Sequence, residues 1–335
     1  MDFIFTPEQD EAAELAASIL ADKTTNDRLK AVEADGDRFD RALWATLNDA
    51  FDWTDLDLVT LARVLVEVGR NVAPVPLATH AACATLLAGA GLPADAGLYA
   101  AAVAEERAHL PAQPTVTADA SGALTGTKTL VRGGMAADAL LVTVSGPDGV
   151  AVHLVDAQGV ERQAQRTSDG DRAALVTLAG TPSTRVGGAD VAERLGQLLV
   201  ALSAAEQLGV TEGALHLTAE YAKTREQFGR PIGTFQAVSQ RLADGFIDVL
   251  GQRLTLWQAV WRLQEGLPAA TEVATAKLWA ADAGHRIAHT TVHVHGGVGI
   301  DLDGEAHRYF TAGKRFEFLF GGATEQALAI GRTFG

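Results

Sequence analysis

After residue 189 the chain contains three long stretches of helical periodicity joined by very short connections, and this constrains the fold more than any other feature. VAERLGQLLVALSAAEQLGVTEGALHLTAEYAKTREQF reads as one long helix, with Gly209 or Gly213 as the places where it could break. RLADGFIDVLGQRLTLWQAVWRLQEG is a second and ATEVATAKLWAADAGHRIAHTTVHVHG a third, followed by a shorter pair around EAHRYFTAGKRFEFL and ATEQALAIGRTF. Long amphipathic helices with short turns must bury their apolar faces on one another, so a helical bundle that also oligomerises is expected.

The rest of the chain divides by texture. Thr6-Pro7-Glu8-Gln9 is a helix start, with a hydroxyl cap, proline in the first turn and glutamine at the reciprocal capping position. Helical patterns continue through Leu43 to Leu47, Leu56 to Val68 and Leu77 to Ala90. From Glu105, short β-branched runs bounded by Gly, Asp and Ser predict antiparallel strands, closing at Gly187-Gly188. The expected organisation is α+β: an all-helical domain over 1–104, a β-barrel or sandwich over 105–188 and a helical bundle over 189–335.

Composition narrows the partners. The net charge of -15, with no local basic patch, argues against nucleic acid or an anionic membrane surface. The N-terminus lacks the pattern of a signal peptide and no uninterrupted apolar run reaches membrane-spanning length. The single cysteine, Cys83, lies in an apolar run as a core residue, and a lone thiol fits a reducing cytoplasm. No histidine has acidic or thiol neighbours at metal spacing, so no metal site is expected.

Two segments carry chemistry. REQFGRPIGTFQAV, Arg225 to Val238, sits at the junction of the first two long helices, the first expected to end near Gly229. The second is expected to start with Thr234 as N-cap and Phe235, Val238, Leu242 and Phe246 as its apolar stripe. A helix start beside a guanidinium suits an anion, because it offers unpaired N–H groups and partial positive charge. The second segment is HVHGGVGID, His293 to Asp301.

In order and spacing, this pair resembles the flavin-binding C-terminal half of the acyl-CoA dehydrogenase family, and FTPEQ and EVGRNVAPVPLAT also look familial. The resemblance implies FAD, with its adenine and pyrophosphate end held here. On it, Arg225 would serve as fork donor to phosphate, Gln227 would belong to the same segment, Phe228 would pack along the dinucleotide and Gln236 would bond near adenine or ribose. His293 stands where the family commonly has Gln, and Gly296 and Gly297 would let the backbone approach the phosphates.

The family's base, the Glu of a Y-E-G-T-type turn, aligns with Phe320, followed by Gly321. Glu317 and Glu325 lie a turn either side as displaced candidates. In members that carry the acid on the first long C-terminal helix, the register gives Leu199, with Glu206 two turns on, either a buried acid or a solvated or paired surface residue. The ring-end segments are eroded too: Glu105 stands in place of the T-E-P acid with no G-S-D following, and Leu130, Val131 and Arg132 replace W-I-T.

The chain therefore resembles the smaller, base-lacking subunit of α2β2 steroid side-chain acyl-CoA dehydrogenases. That implies a second acyl-CoA dehydrogenase subunit, a steroid-CoA or other acyl-CoA substrate, and electron-transfer flavoprotein or a similar acceptor. A self-sufficient homomeric dehydrogenase or oxidase using Glu206 or Glu317, and a non-catalytic structural subunit, are the alternatives.

Overall fold

The computed structural model describes residues 4–95 and 97–334. Five helices open the chain: α1 (Pro7–Lys23), α2 (Asn26–Ala34), α3 (Arg41–Ala50), α4 (Leu58–Arg70) and α5 (Leu77–Gly89). Eight strands follow: β1 (Tyr99–Ala102), β2 (Thr117–Ala118), β3 (Leu124–Val131), β4 (Ala139–Gly146), β5 (Gly149–Asp156), β6 (Glu161–Arg166), β7 (Arg172–Thr181) and β8 (Thr184–Gly187). The C-terminal part has α6 (Ala189–Thr224), a small hairpin β9 (Glu226–Gln227) and β10 (Arg230–Pro231), then α7 (Gln236–Gln264), α8 (Ala270–His295), α9 (Ala306–Phe318) and α10 (Ala323–Gly331). The order is the expected one: helices, sheet, helices.

Helix ends follow local chemistry. Thr6 caps α1 and Gln9 returns a hydrogen bond to the Thr6 N–H, the reciprocal box read from sequence. Asp40 and Asp57 cap α3 and α4 in the same manner.

Compactness does not follow the three textures. One unit comprises Met1–Ala34, Asp57–Ala73 and Ser203–Gly335, and the other Asp35–Leu56 and Pro74–Leu202. Sequence texture reports the type of each element and not its packing partner: α1 packs on α4 and α4 on α7, whereas α5 packs on β1. The helical stretch expected to reach 104 stops at Gly89, and strand begins at Tyr99.

The second unit holds an eight-stranded sheet in the order β6-β7-β3-β2-β4-β5-β8, with β1 also on β4. Most pairs are antiparallel as expected, but β1 and β2 both pair parallel with β4. β4 is buried along most of its length, and Leu140, Val142 and Val144 join Val116, Leu124, Val155, Val176 and Leu178 in the core.

In the first unit α6 runs unbroken through Gly209 and Gly213. Those glycines are contact points: a methyl at Gly209 would stand 1.9 Å from the Val66 main-chain oxygen, and one at Gly69 would stand 1.8 Å from that of Glu206. A methyl at Gly213 would meet the Arg70 oxygen and the Tyr309 ring, each at 2.6 Å. The α4 and α6 backbones meet directly along this line. Among the described residues α6 alone is long and apolar enough to cross a membrane, contrary to the sequence expectation, and 89% of its apolar window is buried inside the protein.

Candidate functional site

The Arg225 segment is a hairpin, not a helix end. α6 stops at Thr224, five residues short of the expected Gly229, because Glu226–Gln227 turns back to pair with Arg230–Pro231. The Arg225 N–H still bonds the Tyr221 oxygen (2.8 Å), and the Ile232 N–H closes on the Arg225 oxygen (2.8 Å). The two-residue turn places both Phe228 (φ 54°) and Gly229 (φ 78°) in the left-handed region, as a primed turn requires. For Phe228 that conformation costs of order 1 kcal/mol or more. Its ring is 94% exposed, touching only the edge of Phe235 (6.1 Å between centroids), which the Arg230 guanidinium covers at 4.2 Å.

Two further expectations are corrected here. Thr234 does not cap α7: it ends a 3-10 turn and its hydroxyl donates to the Pro231 oxygen (2.7 Å). Phe235 takes the N-cap position with no side-chain oxygen to offer, so the first N–H groups of α7 meet no capping side chain. The anticipated inward stripe also rotates outward, since Phe246 is exposed while Gly245, Val249, Gln252 and Leu256 are buried.

Arg225, Gln227 and Gln236 are all exposed. Among the described residues the Arg225 guanidinium has no side-chain hydrogen bond or ion pair, whereas the Gln227 amide bonds the Glu226 oxygen (2.7 Å).

The second segment arrives at the same end of the bundle. Tyr221, in the last turn of α6, stacks on His295, in the last turn of α8, with centroids 4.2 Å apart and planes 22° apart. The hydroxyls of Thr218 and Thr291 pair at 3.0 Å one turn earlier. The His295 Nδ1–H donates to the Thr291 oxygen (2.8 Å), and burial pushes its pKa down, so the ring stays neutral. These contacts set Arg225 and the Gly296–Gly297 turn at neighbouring helix ends. Gly296 (φ 65°, ψ -141°) needs glycine for its conformation, and a methyl at Gly296 or Gly297 would meet nothing within 4 Å. Both glycines therefore face open space. His293 is exposed on the same turn. Sequence alone did not flag Tyr221 or His295 as the clamp, because the pairing depends on helix register across 74 intervening positions.

The position expected for a base holds none. Phe320 is 6% exposed with φ 59°, followed by Gly321 at φ 100°, and its main-chain oxygen accepts from the Gln326 amide (3.2 Å). Glu325 caps its own helix by accepting from the Gly322 N–H (2.8 Å). Glu317 is paired with Lys314 and with His285 Nδ1 (3.1 Å). Burial works to raise its pKa, but the hydrogen bonds from Lys314 and His285 outweigh this and hold the carboxyl below its ordinary value. A carboxylate so stabilised is a weaker proton acceptor. Glu206 is 3% exposed, which removes the solvated reading of that residue.

The ring-end segments are turned inward in the second unit. Glu105 forms a buried pair with Lys128 (2.7 Å) and accepts from Thr115 N–H and hydroxyl (both 2.7 Å) and Val116 N–H (3.2 Å). Lys128 donates in addition to the Val103 oxygen and the Thr143 hydroxyl. Leu130 lies at a bulge with φ 51°, and its N–H is taken by the Gln165 side chain (2.8 Å). Arg132 is buried and donates to the Val75 oxygen (3.2 Å).

A helical bundle following a mixed sheet, with a free guanidinium and open glycines at one bundle end, defines a flavin-dehydrogenase-like class. The comparisons agree. Residues 188–334 match the acyl-CoA dehydrogenase C-terminal domain. Acyl-CoA dehydrogenase FadE27 of Mycobacterium tuberculosis is 42% identical over 99% of this chain and 98% of its own. A chain of the ChsE4-ChsE5 complex from Mycobacterium tuberculosis superposes with a TM-score of 0.92 at 42% identity, covering 100% of this chain and 99% of that one. A chain of the Tcur3481-Tcur3483 steroid ACAD G363A variant gives 0.92 at 36%, covering 98% and 97%. The chain belongs to the acyl-CoA dehydrogenase family. Its cofactor is FAD. The Arg225 end fits a dinucleotide phosphate, whereas Glu105, Leu130 and Arg132 have spent their polar groups inside the chain.

Proposed function

We propose that this chain is the base-lacking subunit of a heteromeric FAD-dependent acyl-CoA dehydrogenase that introduces an α,β double bond into an acyl-CoA thioester, in particular a steroid side-chain CoA ester. The observation that carries this reading is the buried, left-handed Phe320 where a carboxylate would stand, with Glu317 and Glu325 on either side already engaged. The reaction needs a carboxylate to take the α-proton, and FAD when bound accepts the β-hydrogen as hydride. This chain contributes neither the carboxylate nor a ring pocket. Its part is positioning: Arg225 pairs a phosphate, Phe228 and Gln227 lie along the dinucleotide, Gln236 and the uncapped start of α7 face the adenosine side, and His293, Gly296 and Gly297 admit it closely.

The partner then supplies the α-proton acceptor and most of the acyl site, in an α2β2 assembly. Heteromeric relatives of near-full coverage support that arrangement, one of them described as a steroid enzyme. An electron-transfer flavoprotein or similar protein would reoxidise the cofactor. The fully buried thiol of Cys83, its pKa driven up by burial, is consistent with a reducing cytoplasm.

The test is co-purification with a candidate partner subunit and flavin absorbance per assembly. Arg225→Ala is expected to lower flavin content and steroid-CoA dehydrogenation together, by about tenfold for loss of a charge-assisted phosphate contact. Full flavin and activity from this chain alone overturns the proposal.

A further inference from the structure

Away from the flavin segments, a cavity of about 390 Å³ opens where the loop after α3 meets α5, wholly within the sheet-bearing unit. Its wall includes Asp49, Asp52, Phe51, Trp53 and His80, and among the described residues no lysine or arginine lines it. Three observations on that wall point to one ligand chemistry.

His80 is 4% exposed and wedged between the edge of Trp44 (4.9 Å between centroids) and the Tyr99 ring (5.7 Å). Its Nδ1 accepts the Tyr99 N–H (3.2 Å), so the ring proton sits on Nε2, which has no hydrogen-bond partner among the described residues. Burial lowers its pKa to about 4, so it presents an N–H without a charge near neutral pH. A buried donor left unpaired costs about 1–3 kcal/mol, and an acceptor arriving with a ligand would recover it.

Phe51 and Trp53 stack with centroids 5.2 Å apart, and the indole N–H is fixed on Asn48 Oδ1 (2.7 Å). This gives a rigid apolar wall. At the mouth, Asp49 and Asp52 are exposed, and the Thr54 hydroxyl and N–H hold the Asp52 carboxyl below its ordinary pKa. The cavity thus presents a neutral inner donor, an apolar wall and an uncompensated anionic rim.

A neutral apolar ligand would satisfy the donor but leave the rim unmatched, and an anion would be repelled. A metal ion is disfavoured because no group of three ligating side chains capable of holding one occurs among the described residues and the free imidazole nitrogen carries a proton. We propose that this cavity receives a lysine or arginine residue on an extended segment of a protein partner, its cationic head between Asp49 and Asp52 and its main-chain carbonyl on His80 Nε2–H. The methylenes of such a residue lie along apolar surface while the head stays wet, which matches the Phe51–Trp53 wall. This site is independent of the flavin reading.

Calorimetric titration of the full chain at low salt with acetyl-Gly-Lys-Gly-amide tests it. Three comparisons each predict binding weaker by about fivefold or more: the norleucine peptide, the Asp49→Asn/Asp52→Asn variant, and a lysine peptide whose carbonyl is reduced to methylene. Asp49 and Asp52 are exposed, so that variant keeps the fold, and the reduced peptide probes His80 without touching the core. Equal binding of the norleucine peptide, an unaffected double variant, or no heat with any peptide up to about 10 mM overturns the proposal.

Discussion

At the scale of single residues, Lys277 holds an ammonium fully buried in α8, donating to the Gln207 side chain (3.2 Å) and to the Phe316 oxygen at the end of α9. Burial lowers its pKa from 10.5 to about 7, with the Glu317 and Glu325 carboxylates pulling the other way. The folded chain therefore releases this proton earlier than the unfolded chain, which binds the extra proton between about pH 7 and pH 10.5. Stability contributed by this group rises across that window and is flat below it. Lys277→Met should remove the rise and lift the thermal midpoint by about 2–5 °C at pH 7, as read by calorimetry, because a well-packed apolar replacement avoids the buried charge. A lower midpoint would show that the bond to Phe316 outweighs the cost of burial. The sequence identified Lys277 only as a helix residue, since its burial is set by α6 and α9 together. The exchange of roles at residue 234 has a similar origin: a hydroxyl before a helix predicts a cap, but Pro231 offers Thr234 a nearer acceptor.

At the scale of elements, the meeting of α4 and α6 turns on glycine. Helix propensity reads Gly209 and Gly213 as weak points, yet the same absence of a side chain allows backbone to touch backbone, and only a partner helix distinguishes the two cases. Gly209→Ala should therefore destabilise by about 4 kcal/mol or more, despite alanine's better propensity, because its methyl collides with a main-chain oxygen that cannot rotate away. Denaturant unfolding measures this, and a neutral or stabilising result would mean the helices can separate at little cost. Element types, and the capping box of α1, were legible because they depend on neighbours three or four residues away. The hairpin at Glu226–Pro231 was hidden because Phe at a left-handed position contradicts propensity and is held by pairing across the turn.

At the scale of the whole molecule, one face of α7 carries Phe246, Ile247, Leu250 and Leu254, all exposed and within about a 100° arc at helical spacing. Such a stripe asks for a partner. Ile247→Asp with Leu250→Asp should lower the assembly state by size-exclusion chromatography while the circular dichroism of the chain stays unchanged, and an unchanged assembly would place the interface elsewhere. Glu317→Gln should alter turnover of the assembled enzyme by less than about threefold, because the residue serves an ion pair with Lys314 and His285. A loss of several orders would restore it as the base. The family and the two flavin segments were readable from the chain alone, but the idle state of Glu317 was not, since its histidine partner lies 32 residues away.

The turn at Phe320 and Gly321 bears on how such a chain could regain independence. A carboxylate restored there by one codon change would enter a buried spot on a backbone conformation that side chains rarely adopt, with its neighbouring carboxylates already committed elsewhere. Reversion would need several coordinated changes with no benefit along the way, so loss of the acid works as a ratchet that makes the two-subunit state self-perpetuating.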